Sequence, residues 1–309
     1  MSILKDNVNW YNDTTKESRV LAWWSGGVAS AIACKIALET YENVHLAFCD
    51  TGWENSDTFR FMEDFEKALG VKIHKYKSDK FTDPEDVWRK GLVLNFAGGA
   101  RCSGELKRDV RVKKVQDIEK DYCQIFGFDF CKKEINRAEN LTKAHPEINP
   151  KFPLIEHKIT RDALFKEIDR MGIEPPEAYK LFLNNNCIGD PEKPQGGCIQ
   201  GGAGYWQKIR EVYPMKFKYM ANIEHEITEL KKQKLIDSGK YNKDTFQPVT
   251  LFRDSRKKSK QERLFLVKNP LYPEIDTIDI IKGIRPIAPM ECNGFCSIDG
   301  ITMFEQELF

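Results

Sequence analysis

Residues 20–30, Val-Leu-Ala-Trp-Trp-Ser-Gly-Gly-Val-Ala-Ser, form an apolar run that stops at a glycine pair and continues as an alanine-rich segment. An uncharged apolar run is typical of a strand buried on both faces. Residues 28–40 are rich in Ala, Ile and Leu, which favours a helix. Glycines between the two elements let backbone amides approach an anion, and the helix start adds N–H groups and a positive dipole end. The turn therefore predicts a phosphate cradle, with the hydroxyls of Ser25 and Ser30 as further donors.

The next residues repeat this order of strand and helix. Val44–Cys49 is a second apolar run that ends at Asp50-Thr51-Gly52. A helix is predicted from Ser56, its expected N-cap, to Leu69, with Gly70 as its stop, and residues 71–76 alternate as a strand does. Three strands and two helices in this order imply a parallel sheet with right-handed crossovers. Ligands of such sheets bind beyond the carboxyl ends of the strands, where both turns fall.

Five segments in sequence order carry a family resemblance that covers most of residues 20–215. The Ser-Gly-Gly turn resembles the PP-loop of nucleotide α-hydrolases, usually Ser-Gly-Gly-x-Asp-Ser, and especially the phosphoadenylyl sulfate (PAPS) reductase family. The other segments are residues 47–61 with the Asp-Thr-Gly turn, Ile125–Phe128 with Glu134 and Arg137, residues 152–156, and residues 173–176. The resemblance implies an α/β fold, a parallel twisted sheet flanked by helices, of the adenine nucleotide α-hydrolase-like, Rossmann-like kind.

The resemblance also implies an adenine nucleotide ligand, ATP or an adenylyl sulfate. Two of the implied contacts have structural alternatives: Asp50 can cap its own turn, and Glu134 with Arg137 can be an ordinary exposed helix pair. Ala29 stands where adenylating members carry Asp, which counts against magnesium-assisted cleavage of ATP, although Mg²⁺ stays a candidate cofactor. The predicted nucleotide-binding residues are Ser25, Gly26, Gly27, Ser30, Asp50, Thr51, Gly52, Arg101, Glu134 and Arg137.

Residues 98–107 resemble the Cys-Thr-x-x-Leu-Lys element of many PP-loop sulfur enzymes. Arg101 and Lys107 can neutralise a polyphosphate. Cys102 lies beside a cation, which favours a thiolate that attacks sulfur or binds a metal. The alternative is a basic surface loop with a passive thiol. Lys107 and Cys102 are thus candidate catalytic residues, whereas the basic residues behind them are interpreted as a solvated helix face: Arg108, Arg111, Lys113 and Lys114.

Four cysteines of the second half form two pairs in loops. Ten residues separate Cys187 from Cys198, and three separate Cys292 from Cys296. Four loop thiolates can bind Zn²⁺ or a [4Fe–4S] cluster, and isolated structural thiols are the alternative. The terminal Glu-Cys-Gly-Leu-His segment of the PAPS reductases is matched only by Glu291-Cys292. Cys292 is therefore both a candidate metal ligand and a candidate nucleophile.

Composition and charge limit the classes of protein to which this chain can belong. Hydrophobic residues at 41% and a formal net charge of +1 describe a globular protein whose overall charge requires neither a nucleic acid nor a membrane. The first residues lack the apolar core of a signal peptide, and no stretch approaches the roughly 20 apolar residues of a membrane span. We therefore expect a cytoplasmic protein with no membrane partner.

The composition of the chain becomes more polar and basic beyond about Ser238, which suggests two regions. Residues 1–238 are expected to form the PP-loop nucleotide-binding domain, and residues 239–309 a C-terminal accessory region with the second cysteine pair. This region carries a basic segment that a nucleic acid could contact, although such runs are usually solvated. Its basic residues are Arg253, Arg256, Lys257, Lys258, Lys260 and Arg263.

Three functions follow from these observations. The first is a PAPS reductase-like enzyme, an oxidoreductase or transferase, that performs sulfonucleotide reduction or sulfur transfer. The second is ATP-dependent thiolation of tRNA or DNA by means of an iron–sulfur cluster and a sulfur donor protein. The third is a non-catalytic adenine-nucleotide-binding module, suggested by Ala29 and by the incomplete terminal segment.

Overall fold

The computed structural model describes residues 20–96, 99–115, 123–183, 185, 187–254 and 262–287. Its strands are β1 (Val20–Trp23), β2 (Val44–Cys49), β3 (Ile73–Tyr76), β4 (Asn95–Phe96), β5 (Gly99–Ala100), β6 (Cys123–Ile125), β7 (Pro150–Lys151), β8 (Phe252–Asp254) and β9 (Glu262–Leu264). Its α-helices are α1 (Val28–Thr40), α2 (Ser56–Leu69), α3 (Pro84–Gly91), α4 (Arg101–Ser103), α5 (Lys132–Ala144), α6 (Pro153–Glu156), α7 (Arg161–Arg170), α8 (Ala203–Val212) and α9 (Pro214–Asp237). The π-helical turns are Gly104–Arg108 and Arg111–Val115, and the 3₁₀ turns are Pro146–Ile148, Glu177–Leu181 and Ile278–Ile280.

A five-stranded parallel sheet in the order β3-β2-β1-β6-β7 organises the first half of the chain. Strand β1 lies at its centre, where Val20 is in register with Val44 of β2 and with Cys123 of β6. All four residues of β1 are buried, as the uncharged apolar run predicts. The α/β fold with a parallel sheet and flanking helices is thereby confirmed. The carboxyl ends of β1, β2 and β6 lie side by side at one edge of the sheet.

Of the two predicted ends of helix α2, the C-terminal one is correct and the N-terminal one differs by one residue. Gly70 ends the helix in the left-handed conformation, with φ 64°, as expected for a glycine stop. The N-cap is Asn55, not the predicted Ser56, because the side-chain oxygen Oδ1 of Asn55 accepts the N–H of Asp57 at 2.8 Å. The N–H of Ser56 donates instead to Asp190 Oδ1 at 2.8 Å, a distant partner that local sequence does not indicate.

Other element bounds differ modestly from the expected ones. The strand expected at residues 71–76 begins at Ile73. The apolar residues 124–128 also predict a buried strand, and the structure has β6 at Cys123–Ile125. Residues 159–171, closed by Gly172, predict a helix, and the structure has α7 at Arg161–Arg170 with Thr160 as its N-cap. Residues 223–236 also predict a helix, but α9 begins nine residues earlier, at Pro214, since a proline in the first turn of a helix leaves no hydrogen bond unmade.

Two large apolar cores account for most of the packing. The first lies between the sheet and the helices α1, α2 and α7. The second joins α8 and α9 to residues on both sides of the expected boundary near Ser238, including Trp206, Ile227, Leu251 and Leu266. Helix α9 ends at Asp237, and the division of the chain at residue 238 stays a prediction.

Glu224 connects α9 to the segment that follows it. Its carboxyl group is fully buried, and its two oxygens accept the backbone N–H groups of Leu251 at 2.6 Å and Leu266 at 2.7 Å. Burial raises the pKa of Glu224 to about 8, above its ordinary value of 4.5. One side chain on the helix thus satisfies two buried donors of the chain beyond it.

Within the described ranges, no helix combines the length and the apolar character that a membrane crossing requires.

The substitution Glu224→Gln is expected to lower the free energy of unfolding by about 1–3 kcal/mol, because the amide nitrogen cannot accept the second backbone N–H. A raised folded-state pKa contributes stability that is complete below pH 4.5 and is lost as the pH rises through about 8. The deficit of the variant, measured by urea unfolding, should therefore shrink between about pH 5 and pH 9.

The matched control is Glu226→Gln on the same helix, where the exposed carboxylate pairs with Arg89 at 2.7 Å. Exposed pairs contribute about 0–1 kcal/mol, so this variant should stay close to the wild type. Equal losses in the two variants would contradict the role of Glu224.

Candidate functional site

The turn after β1 is closed by its own two serines. Ser30 Oγ accepts the backbone N–H of Ser25 at 2.9 Å, lies 3.0 Å from Ser25 Oγ, and donates to the Gly27 carbonyl at 2.9 Å. Helix α1 begins at Val28, and its first residues are buried. The structure therefore brings Ser25, Gly26, Gly27 and Ser30 together as one compact strand-to-helix loop, the shape that an anion cradle requires.

Gly26 is in the left-handed region, with φ 88°, and a Cβ at this position would lie 2.8 Å from Thr58 Cγ2 of α2. Asn185 Nδ2 donates to the Gly26 carbonyl at 3.0 Å and to Thr58 Oγ1 at 2.8 Å. The buried Asn185 Oδ1 has no hydrogen-bond partner among the described residues, so it can accept a donor from a bound group. Only glycine fits this packing. The conformation of Gly26 is held by the hydrogen bond from Asn185, which is 159 residues away in the sequence.

The other side of the loop contacts the end of β6 and the 3₁₀ turn Glu177–Leu181. A Cβ at Gly127 would lie 2.4 Å from the Cα of Ser30, so the chain after β6 packs directly on the start of α1. The N–H of Val28 donates to the Tyr179 hydroxyl at 3.3 Å. Gly127 lies in the segment Ile125–Phe128 that carries the family resemblance, but its contact with α1 was not predicted, and Tyr179 was not singled out because no local pattern indicates its contact.

The Asp50-Thr51-Gly52 turn follows β2 at the same sheet edge. Asp50 Oδ1 accepts the Gly52 N–H at 2.8 Å, and Oδ2 pairs with Lys77 Nζ at 3.0 Å. The carboxylate therefore closes its own turn, the alternative considered from the sequence, and its contact with a nucleotide stays a prediction. Thr51 Oγ1 donates to Glu54 at 2.7 Å and lies 3.4 Å from Cys187 Sγ.

A connection that sequence reasoning missed runs across both turns. Asn185 bonds to Gly26, Cys187 lies beside Thr51, and the Gly189 N–H donates to the Trp53 carbonyl at 3.1 Å. Asp190 then accepts the N–H of Ser56, as described above. We call the described residues of 185–190 the crossing segment. It places the thiol of Cys187 beside the Asp-Thr-Gly turn.

The residues expected to carry basic and thiol chemistry lie on α4 and the π-helical turn after it. The side chain of Lys107 is buried, with 8% of the residue exposed, and its carbonyl accepts the thiol of Cys49 at 3.7 Å at the end of β2. Arg101 lies 3.5 Å from Glu105. Cys102 is half-buried against two apolar clusters. Lys107 is thus close to the strand ends in the fold, and π-helical geometry is frequent at functional sites.

Arg111 corrects an expectation. It was interpreted as part of a solvated helix face, but only 4% of it is exposed, and its guanidinium lies 5.6 Å from the ring centres of Trp23 and Phe126. Burial lowers the pKa of Arg111 to about 9. A planar guanidinium stacks on aromatic faces, which allows it to enter this apolar position. Lys113 is exposed, as expected.

Glu134 and Arg137 form an ion pair at 3.0 Å on α5. Glu134 is only 4% exposed, and Arg137 lies over the Phe128 ring at 4.7 Å, so the alternative of an ordinary exposed pair is wrong. A neighbouring pair was missed: Asp129 Oδ2 accepts from Arg161 Nη1 at 3.0 Å. Burial raises the pKa of Asp129, and the Arg161 charge opposes the rise.

The structure describes two of the four cysteines that were predicted to bind a metal. The two ends of the loop that carries Cys187 and Cys198 are joined by a backbone hydrogen bond, in which the Gly197 N–H donates to the Cys187 carbonyl at 2.8 Å. Cys292 and Cys296 lie outside the described residues. Within the described part of the chain, no group of three or more His, Cys, Asp or Glu side chains is arranged to hold a metal ion. The cysteine metal site therefore stays a prediction that rests on two thiols.

The basic segment is described only in part. Arg263 donates to Gln247 Oε1 at 3.0 Å, and the backbone of Arg253 lies in β8. The remaining predicted nucleic-acid contacts, Arg256, Lys257, Lys258 and Lys260, lie outside the described residues. Contact with a nucleic acid stays a prediction.

Comparison with known families agrees with this geometry. Residues 19–148 match the model of the phosphoadenosine phosphosulfate reductase domain. Among curated proteins, none matches the chain. The matched residues include both glycine turns, Lys107 and the pair of Glu134 and Arg137. The resemblance to the PP-loop and PAPS reductase family is thus confirmed for this part of the chain.

The substitution Gly26→Ala should weaken binding of ATP and of adenosine 5′-phosphosulfate at least about tenfold, which corresponds to about 1.4 kcal/mol. The reason is that a Cβ at φ 88° is strained and meets Thr58, which displaces the loop. The control is Gly202→Ala, where nothing lies within 4 Å of the added Cβ. Isothermal titration calorimetry measures the effect, and unchanged affinity in Gly26→Ala would contradict the assignment of the loop.

Proposed function

We propose that the protein is an enzyme that binds ATP or an adenylyl sulfate at the carboxyl edge of the sheet and performs sulfur-related chemistry on it. The matched domain supports a sulfonucleotide-related function at the level of the family. The observation that carries the proposal is the convergence of two glycine turns and a thiol. The crossing segment places Cys187 Sγ 3.4 Å from Thr51, and its Asn185 bonds to Gly26.

The loop supplies what a phosphate or sulfate group needs. Helix α1 directs its N-terminal end at the loop, and the positive end of the helix dipole favours an anion. Ser25 is half-buried, so its hydroxyl can be reached from outside the core. Lys107 would add a cation near the ends of the strands, and preorganised donors of this kind stabilise charge that develops during group transfer. Arg101, Glu134 and Arg137 are proposed as further contacts of the nucleotide.

Substrate, cofactor and reaction class belong to this proposal. Sulfonucleotide reduction is favoured over sulfur transfer to a nucleic acid, because the thiol of Cys187 lies 3.4 Å from Thr51 in the Asp-Thr-Gly turn. Bound Zn²⁺ or a [4Fe–4S] cluster would use Cys187 and Cys198, and Mg²⁺ would serve the phosphates of ATP. A sulfur donor protein is required only if sulfur transfer is the reaction.

Product analysis tests the proposal. Adenosine 5′-phosphosulfate, its 3′-phosphorylated form and ATP are each supplied to the reduced protein, and sulfite, AMP and pyrophosphate are measured. Sulfite is the expected product. Pyrophosphate with a thiolated tRNA or DNA would favour nucleic-acid thiolation instead, and binding with no product would favour a binding-only module. Failure of all three nucleotides to bind overturns the proposal.

Lys107→Met is expected to lower the turnover number about 100-fold or more, the usual effect of removing one group that stabilises the transition state. Lys113→Met is the control, since Lys113 is exposed on the next turn of the same segment. Sulfite release under saturating nucleotide measures the effect. If the two variants are equally active, Lys107 has no role in the reaction.

A further inference from the structure

We propose that Asp129 accepts a hydroxyl of the ribose of the bound nucleotide and thereby selects adenine nucleotides that carry no 3′-phosphate. This inference rests on the proposed function and names the form of nucleotide that the site takes, ATP or adenosine 5′-phosphosulfate. Asp129 follows strand β6, whose carboxyl end lies beside that of β1 at the edge of the sheet. It is not among the residues that the sequence predicted to bind the nucleotide.

Asp129 belongs to a closed series of contacts around the start of helix α1. The chain that leads to it touches that start, since a Cβ at Gly127 would lie 2.4 Å from the Cα of Ser30. Asp129 Oδ2 accepts from Arg161 Nη1 at 3.0 Å. Arg161 lies over the Tyr179 ring at 5.7 Å, and the Tyr179 hydroxyl accepts the N–H of the first residue of α1 at 3.3 Å. The carboxyl group is therefore held beside the proposed phosphate loop from two sides.

One oxygen of this carboxyl group is available to a ligand. Asp129 is 8% exposed, and its Oδ1 is buried with no hydrogen-bond partner among the described residues, whereas Oδ2 is bound to Arg161. Buried polar atoms nearly always have a partner, so this atom indicates a donor that a bound molecule supplies. Asp50, the aspartate that was predicted to bind the nucleotide, uses Oδ1 for the Gly52 N–H and Oδ2 for Lys77. Asp129 is therefore better placed than Asp50 to accept from the nucleotide.

A carboxylate oxygen accepts hydrogen bonds only, which limits the part of the nucleotide that it can contact. The phosphate and sulfate groups carry acceptors and negative charge, which the glycine loop and the positive end of α1 favour. The donors of the nucleotide are its ribose hydroxyls and the amino group of adenine. The ribose lies next to the 5′-phosphate, so its hydroxyls are the donors nearest to the loop. Acidic side chains bind ribose hydroxyls in this way in other parallel sheets that bind nucleotides.

A phosphate on the ribose would offer the same oxygen an acceptor in place of a donor. The 2′ and 3′ hydroxyls are on neighbouring carbons, so a 3′-phosphate would lie close to Asp129 whichever hydroxyl it binds. Like charges that face each other disfavour binding. The charge of Arg161 is already balanced, because it pairs with Asp129 and its guanidinium lies over the rings of Phe165 and Tyr179. The site therefore favours nucleotides without the 3′-phosphate.

Calorimetric titration of the full-length protein with a series of nucleotides tests this role without any substitution. ATP is compared with 2′-deoxy-ATP and 3′-deoxy-ATP, and adenosine 5′-phosphosulfate with its 3′-phosphorylated form. At least one deoxy form should bind about tenfold or more weakly than ATP, the usual effect of losing a hydrogen bond to a charged group. The 3′-phosphorylated form should bind at least about tenfold more weakly than adenosine 5′-phosphosulfate.

The substitution Asp129→Asn should change both ratios. Because Arg161 only donates, the amide oxygen of the variant stays toward it, and the NH₂ group takes the place of the available Oδ1. Both ratios should fall to about threefold or less, because a hydrogen bond between neutral groups is weaker and an amide does not repel a phosphate. Asp162→Asn is the matched control, since Asp162 is exposed beside Arg161 and its variant should keep the wild-type ratios.

Equal affinity of the wild type for ATP and both deoxy forms overturns the role of Asp129 and leaves the nucleotide site intact. Tighter binding of the 3′-phosphorylated form by the wild type also overturns it. Wild-type ratios in Asp129→Asn, once urea unfolding shows that the variant folds, overturn it as well; if the variant does not fold, the wild-type titrations decide. Failure of the wild type to bind any of these nucleotides overturns the role together with the proposed function.

Discussion

The contact of the crossing segment with the two strand-end turns is the interaction on which the site depends. Parallel pairing of β1 with β2 brings the Ser-Gly-Gly and Asp-Thr-Gly turns to the same edge. The side chain of Asn185 then joins the first turn to helix α2 through Gly26 and Thr58. Together with the bonds of Gly189 to Trp53 and of Asp190 to Ser56, this bridge holds the crossing segment of the second half against the first half of the chain.

The second half of the chain supports that contact through buried polar groups. Lys216 is satisfied by carbonyls of the loop between Cys187 and Cys198, and Glu224, on the same helix, is satisfied by N–H groups of the chain beyond residue 238. Removing one partner from such a group leaves a buried polar atom without a hydrogen bond, which costs more than the bond itself contributes. Helix α9 therefore holds the loop between Cys187 and Cys198 through Lys216, and the backbone of Leu251 and Leu266 through Glu224.

The order of elements in the first half could be predicted from the sequence because its signals are local. The apolar run of β1, the glycine pair after it and the stop at Gly70 each act within a few residues, and the structure has them where they were expected. Asn55 was missed as the N-cap because Asn and Ser are both favoured there and only the hydrogen bond to Asp57 distinguishes them.

The rest of the site depends on contacts between distant parts of the sequence. Asn185 and Gly26 are 159 residues apart, and no periodicity or spacing indicates that they meet. Arg111 looked like a surface residue because its neighbours are basic, yet it packs between Trp23 and Phe126. The spacing of Cys187 and Cys198 suggested metal ligands. The sequence does not show that Lys216 holds the loop between them, because that contact is visible only in three dimensions.

Hydrogen–deuterium exchange with and without adenosine 5′-phosphosulfate shows where the nucleotide binds without any substitution in the chain. A nucleotide bound at this edge of the sheet adds protection in the loop at residues 25–30 and in the crossing segment together, with little change in α9. Protection confined to other parts of the chain, or no change at saturating nucleotide, would contradict a nucleotide site at this edge of the sheet.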